Sequence, residues 1–147
     1  MQPRTVKEMM SSVVETLSVG DTLATARRQL ERGRIRHLPV VDGDEKLVGL
    51  LTHRQVLEAW VSHGHPDRED PALVARDVPI EMIMEKDVLT VKPQTRAARA
   101  AFLLEKHKYG CLPVVEGGRL MGIITESDFV RFARRFLERE GKKGVAS

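Results

Sequence analysis

A chain of 147 residues, 41% hydrophobic and 31% charged, can form one compact domain or two small halves that share a core. No window approaches the ~18 uninterrupted apolar residues of a membrane span, and MQPRTVKEMM lacks the apolar stretch of a secretory signal. The single cysteine, Cys111, excludes a disulfide within the chain and fits a cytoplasmic setting. A net charge of +3 and a pI near 9.2 are too mildly basic for a histone-like protein but suit an anionic small molecule.

In chain order, Val13 to Val19 is β-rich. Asp21 offers an N-cap, and Leu23, Ala26 and Leu30 follow at helical spacing until Gly33. LPVV (Leu38–Val41) reads as a strand with Pro39 at its start or edge. Asp42-Gly43 marks a hairpin turn, and LVGLL (Leu47–Leu51) is the returning strand. Val56, Leu57 and Trp60 belong to a second helix. Residues 61–79, rich in His, Asp and Pro, form a connector. There His63-Gly64-His65 with Asp67 matches no strong zinc spacing, so no metal is expected.

The second half runs likewise. Val88 to Val91 is extended, Thr95 offers a cap, and Ala97, Ala100, Ala101 and Leu104 take helical spacing. A second LPVV, the turn Gly117-Gly118 and LMGII (Leu120–Ile124) follow. A last helix carries the apolar stripe Phe129, Val130, Phe132, Ala133, Phe136 and Leu137. Arg131 to Gly144 mixes basic with acidic residues and reads as a solvated helix face. Interleaved aromatics for stacking bases are missing, which leaves nucleic-acid binding the minor reading.

The chain is thus written twice. Leu38 stands opposite Leu112 at an offset of 74 residues, and the same offset pairs Met10 with Met84, Thr16 with Thr90 and Leu30 with Leu104. Two repeats are too few for a solenoid. They imply a mixed α/β (α+β) fold of two β-α-β-β-α units packed face to face about a pseudo-twofold axis. The expected division is residues 1–60, a connector 61–79, residues 80–140, and a flexible tail 141–147.

LPVVD with LVGLLT, and LPVVE with LMGIIT, each behind a lead-in (Met9–Thr22 and Ile83–Thr95), resemble a tandem cystathionine-β-synthase (CBS) domain pair, or Bateman module, over nearly the whole chain. The resemblance implies a stand-alone regulatory module without catalytic activity. Such a module binds an adenine nucleotide (AMP, ADP or ATP, with S-adenosylmethionine or an NAD-type molecule as variants) in clefts between the repeats. It also implies a homodimer, with a further regulated protein as partner and no membrane.

Both final helices open on a capping box, Thr52-His53-Arg54-Gln55 and Thr125-Glu126-Ser127-Asp128. Capping alone explains both, at about 0.5–2 kcal/mol each. Only the second carries an acid and an extra hydroxyl. A carboxylate accepts hydrogen bonds from both hydroxyls of a vicinal diol, whereas a glutamine amide offers one acceptor oxygen. By the resemblance, Asp128 takes the ribose, and Thr125 and Ser127 lie near phosphate. Ser11 joins them from the lead-in, Val13 and Val14 flank the base, and Arg36 and His37 approach base or phosphate. The equivalent site beside Gln55, with Glu85 in place of Ser11, is expected to be empty or weak. The rival readings are a ligand-free adaptor or dimerisation module, and nucleic-acid binding through the basic last helix. Cys111, lacking a base partner, reads as buried.

Overall fold

The computed structural model describes residues 4–33, 35–63 and 78–145. The chain divides into two compact units that interleave along the sequence. One comprises residues 15–88 with 117–120; the other comprises residues 1–14, 89–116 and 121–147.

The first unit holds a three-stranded sheet, ordered β1 (Leu17–Ser18), β2 (His37–Val41) and β3 (Leu47–Thr52). β1 runs parallel to β2, pairing Leu17 with Val40 and Ser18 with Val41. β2 and β3 are antiparallel from His37–Thr52 to Val41–Leu47, with a register shift between Val40 and Val41. Pro39 precedes the first residue of β2 that pairs with β1 and lies opposite Leu50 of β3, whose N–H and carbonyl bond Glu85 instead, so its missing N–H breaks no ladder bond there. Helix α2 (Leu23–Gly33; α1, Val6–Met9, belongs to the other unit) buries Leu23, Ala26 and Leu30, the i, i+3, i+7 set that the sequence spacing selects. Helix α3 (His53–His63) adds Val56 and Ala59. Ile80, in a 3₁₀ turn at Ile80–Met82, and Met84 complete the core.

The second unit begins with α1 (Val6–Met9), one helical turn that the sequence patterning does not mark. Val6 is fully buried, and its N–H donates to the Thr95 carbonyl at 2.8 Å. Helix α4 (Ala97–His107), the antiparallel strands β4 (Cys111–Glu116) and β5 (Arg119–Thr125), and α5 (Glu126–Val145) follow. Leu103, Leu104, Leu112, Val114 and Ile124 gather round Val6 in the core, with Phe129 packed against them. α5 runs as helix as far as Val145.

Several local expectations are corrected. The lead-in strands shrink to two-residue β1 and a single parallel bridge, Val91 to Val114. Asp21 does not cap α2; its carboxylate accepts from the Ser18 N–H at 2.8 Å. Thr95 accepts from the Lys92 N–H instead of capping α4, whose N-cap is Arg96 without a side-chain bond. In the first hairpin the left-handed residue is Glu45 (φ 61°), not Gly43, because the Asp42 carboxylate pins the loop by accepting from the N–H groups of Asp44 and Lys46. Gly117 and Gly118 do supply positive φ, at 58° and 82°. The connector residues 64–77, with the His65 and Asp67 considered for metal, lie outside the described residues, as does the His63 side chain.

Candidate functional site

Both capping boxes form. In the first, the Thr52 N–H donates to Gln55 Oε1 at 2.8 Å and the Gln55 N–H returns to the Thr52 hydroxyl at 3.1 Å. In the second, the Thr125 N–H donates to Asp128 Oδ2 at 2.8 Å and the Asp128 N–H returns to the Thr125 hydroxyl at 3.4 Å. The shared spacing produces the shared geometry, and each box joins a β-strand directly to a helix.

The acid makes the second box different. Asp128 Oδ2 also accepts from the Thr125 hydroxyl at 3.2 Å, and Oδ1 accepts from an Arg131 N–H at 3.3 Å. The carboxylate is 10% exposed, its arginine partner 52%. A carboxylate has about four lone-pair positions, and three face donors from within the helix start. A bidentate diol therefore needs Arg131 to swing away, a small change for a half-exposed side chain and a long contact. The Ser127 hydroxyl is exposed and makes no side-chain hydrogen bond among the described residues.

The lead-in reaches this region through the backbone. Ser11 pairs antiparallel with Ile123, each N–H donating to the other's carbonyl at 3.0 Å, two residues before Thr125. Gly122 permits the approach: a Cβ there would lie 2.5 Å from the Ser11 carbonyl oxygen and 2.9 Å from Met10 Sδ. The Ser11 hydroxyl donates to the Val13 carbonyl at 3.2 Å. Val13 is 92% exposed, an unusual state for a valine at the end of a paired segment, and Val14 is half-buried. Ser11, Val13, Val14, Thr125, Ser127 and Asp128 thus belong to one compact unit, while Arg36 and His37 belong to the other. Arg36 is exposed, and His37 is half-buried and engaged by a neighbour. The equivalent pairing in the first unit joins Leu50 to Glu85 at 2.9 Å in both directions, so an acidic residue does occupy the position matching Ser11. Arg54 there is engaged by Glu58 at 3.0 Å.

Sequence reasoning missed Arg131 and Arg4. Arg131 was recoverable as the i+3 neighbour of Asp128 on a helix. Arg4, whose guanidinium lies 4.9 Å from the centroid of the Phe132 ring, carries no local signal. Cys111 is 3% exposed, and burial pushes its thiol up to about 12, so it stays protonated at neutral pH and is a poor nucleophile. Among the described residues no group of three or more His, Cys, Asp or Glu side chains is arranged to hold a metal, and no helix is long and apolar enough to cross a membrane.

A sequence profile of the CBS domain matches residues 6–62 and 75–135. The chain belongs to the CBS domain family, as a tandem pair with a mixed α/β fold. It is 33% identical over 135 residues to a CBS domain-containing protein of Dictyostelium discoideum, covering 90% of this chain and 93% of that one. Its fold is similar to a crystal structure from Vibrio cholerae named for acetoin utilization (AcuB), with TM-score 0.81, 37% identity and coverage of 96% and 98%. CBSX2, solved in complex with AMP, matches with TM-score 0.75 and 27% identity over 90% of this chain and 97% of its own. A CBS pair solved with 5′-methylthioadenosine and S-adenosyl-L-methionine matches with TM-score 0.73, 27% identity and coverage of 88% and 98%. Other curated relatives are longer: the chain spans 41% of a Thermofilum pendens protein and 25% of the inosine-5′-monophosphate dehydrogenase of Methanocaldococcus jannaschii.

Proposed function

We propose that this chain is a ligand-sensing regulatory module, not an enzyme, and that it binds an adenine nucleotide of the AMP, ADP or ATP kind. Asp128 holds the ribose diol, and Thr125 and Ser127 stand by the phosphate. Ser11, Val13 and Val14 form the flank against the base. The observation that carries this reading is the Asp128 carboxylate, nine-tenths covered, beside a lead-in that offers a bare valine. The neighbours solved with AMP and with S-adenosylmethionine support the adenosine class. Arg36 and His37 are proposed contacts on the family resemblance alone. The site beside Gln55, with Glu85 at the Ser11 position, is proposed to bind weakly or not at all, since a carboxylate repels a phosphate.

Ligand binding regulates by population shift, and only differential affinity for two conformations can drive it. We also propose a homodimer and a cytoplasmic location. Of the stripe expected to form the interface, Phe129, Phe132, Phe136 and Leu137, Phe129 packs against the core, and Leu137 (65% exposed) lies seven residues from Val130 (68%) on one side of α5; these last two are the interface candidates.

Calorimetry with AMP, ADP, ATP and S-adenosylmethionine on the wild type and Asp128→Asn tests the reading. Asparagine retains an oxygen for the Thr125 N–H but loses the charge and the second acceptor. The expected result is at least a tenfold loss of affinity with less than about 1 kcal/mol lost in stability. Equal affinity in both proteins, or binding in neither, overturns it. The competing adaptor reading rests on one observation: the carboxylate already has three donors as a pure cap.

A further inference from the structure

A pocket of about 340 Å³ lies between α1 and α5, wholly within the second unit. That volume falls in the range of small-molecule sites. Residues three or four apart share a helix face, so Arg131, Arg135 and Arg139 form one row along α5, with Phe132 and Phe136 in the adjacent row. Both rows line the pocket, and Arg4 and Met9 close it from the α1 side. The two phenylalanine rings stack at 6.5 Å, with the Arg4 guanidinium over Phe132. The pocket therefore offers guanidinium groups beside an apolar, aromatic floor. Among the described residues Arg135 and Arg139 have no ion-pair partner, whereas Arg134 pairs with Glu138 at 2.9 Å.

We infer that this pocket is a second ligand site, for a small molecule that carries an anionic group on a planar ring, and that Arg131 links it to Asp128. Four arginines face three carboxylates in its lining: Glu8, Asp128 and Glu140. That balance suits one compact anion rather than a polyanion, and disfavours nucleic acid. Val130 and Leu137 sit on the far side of α5 by helical spacing, so a dimer contact through them leaves the pocket open. The link follows from shared side chains. Asp128 lines the pocket, and its Oδ1 is held by Arg131. An anion that draws Arg131 into the pocket frees Oδ1 for a second hydroxyl, and occupancy of the pocket thereby raises affinity for a diol at Asp128. Reciprocity requires that the diol ligand raise affinity for the anion by the same factor. This second half rests on the nucleotide reading above; the pocket itself does not.

The probes are phenyl phosphate, benzoate and inorganic phosphate, titrated by calorimetry against the wild type, Arg135→Ala/Arg139→Ala and Arg131→Ala. Both residues of the double variant are exposed, and thermal melts verify that it folds. Phenyl phosphate or benzoate is expected to bind at least tenfold more tightly than inorganic phosphate, and the two ring compounds show which anion is preferred. The double variant is expected to lose at least tenfold. Saturating ring compound is expected to tighten AMP binding about threefold or more in the wild type but not in Arg131→Ala. Failure of both ring compounds to bind at 10 mM, equal binding by the folded double variant, or a dimer that buries the pocket and excludes them overturns the site. Unchanged coupling in Arg131→Ala overturns the link. Arginine-dependent binding of a ring compound in a protein that binds no adenine compound sinks the nucleotide reading and sustains the pocket.

Discussion

Replacing Gly122 by alanine should detach the lead-in from the Asp128 region. The added Cβ would stand 2.5 Å from the Ser11 carbonyl oxygen and 2.9 Å from Met10 Sδ. The methionine can turn away, but the carbonyl is backbone: it accepts from the Ile123 N–H at 3.0 Å, and the Ser11 N–H donates to the Ile123 carbonyl at 3.0 Å. Relief needs a shift of roughly 0.5–1 Å, which stretches both bonds. At about 1 kcal/mol net for each, plus disturbed packing at Met10, the cost is about 2–4 kcal/mol. Gly49 is the matched comparison. There a Cβ meets Met84 Sδ at 2.5 Å and the Glu85 carbonyl at only 3.1 Å. A flexible thioether absorbs most of that overlap, so Gly49→Ala should cost about 1–2 kcal/mol. Gly20 has nothing within 4 Å of its Cβ position and serves as the control, within about 0.5 kcal/mol of wild type. Urea unfolding of the three variants gives the ranking. If Gly122→Ala is no less stable than Gly20→Ala, the close backbone approach does not hold Ser11 in place, and the construction of the site from the lead-in fails.

Thr52→Ala and Thr125→Ala should each cost about 0.5–2 kcal/mol by denaturation, whereas Arg54→Ala, which removes an exposed pair, should change stability by less than about 0.5 kcal/mol; equal losses would refute the cap assignment. Leu112→Ala, at a fully buried position of β4, should lose about 2–5 kcal/mol, read from the same unfolding curves. Cys111 should react with a disulfide reagent at pH 8 much more slowly than a free thiol, because it is buried and its thiol is pushed up to about 12; rapid labelling of folded protein would show the site to be open. The raised value means that the fold favours the neutral thiol. Its contribution is complete below pH 9 and is lost as pH rises from 9 towards 12, so the stability gap between wild type and Cys111→Ala should narrow over that window.

The parts legible in the sequence were those governed by short spacings. LPVV, its returning strand and the i, i+3, i+7 face of α2 follow from alternation and helical period. Both capping boxes follow from residue types three apart. The caps expected at Asp21 and Thr95 failed although the residue types were right, because nearby backbone N–H groups at Ser18 and Lys92 took their oxygens first. The lead-in strands shrank because β-propensity does not say how many residues find a neighbouring strand. The turn of α1 was invisible because Val6 is held by Thr95 and by a core built elsewhere in the chain. The Asp128 acid is evident from its type and position, but the guanidinium that shares it is hidden, since Arg131 lies in a run that reads as solvated surface.

The interleaving of the two units has a consequence for biosynthesis. Val6 leaves the ribosome about 90 residues ahead of Thr95, whose carbonyl it needs, and further still ahead of Ile124 beside it in the core. At about 5–20 residues per second, Val6 waits roughly 5–20 s before its docking place has been translated. During that interval the apolar side chain of Val6 has no burial site, so the second unit cannot close until the chain has been made as far as Ile124.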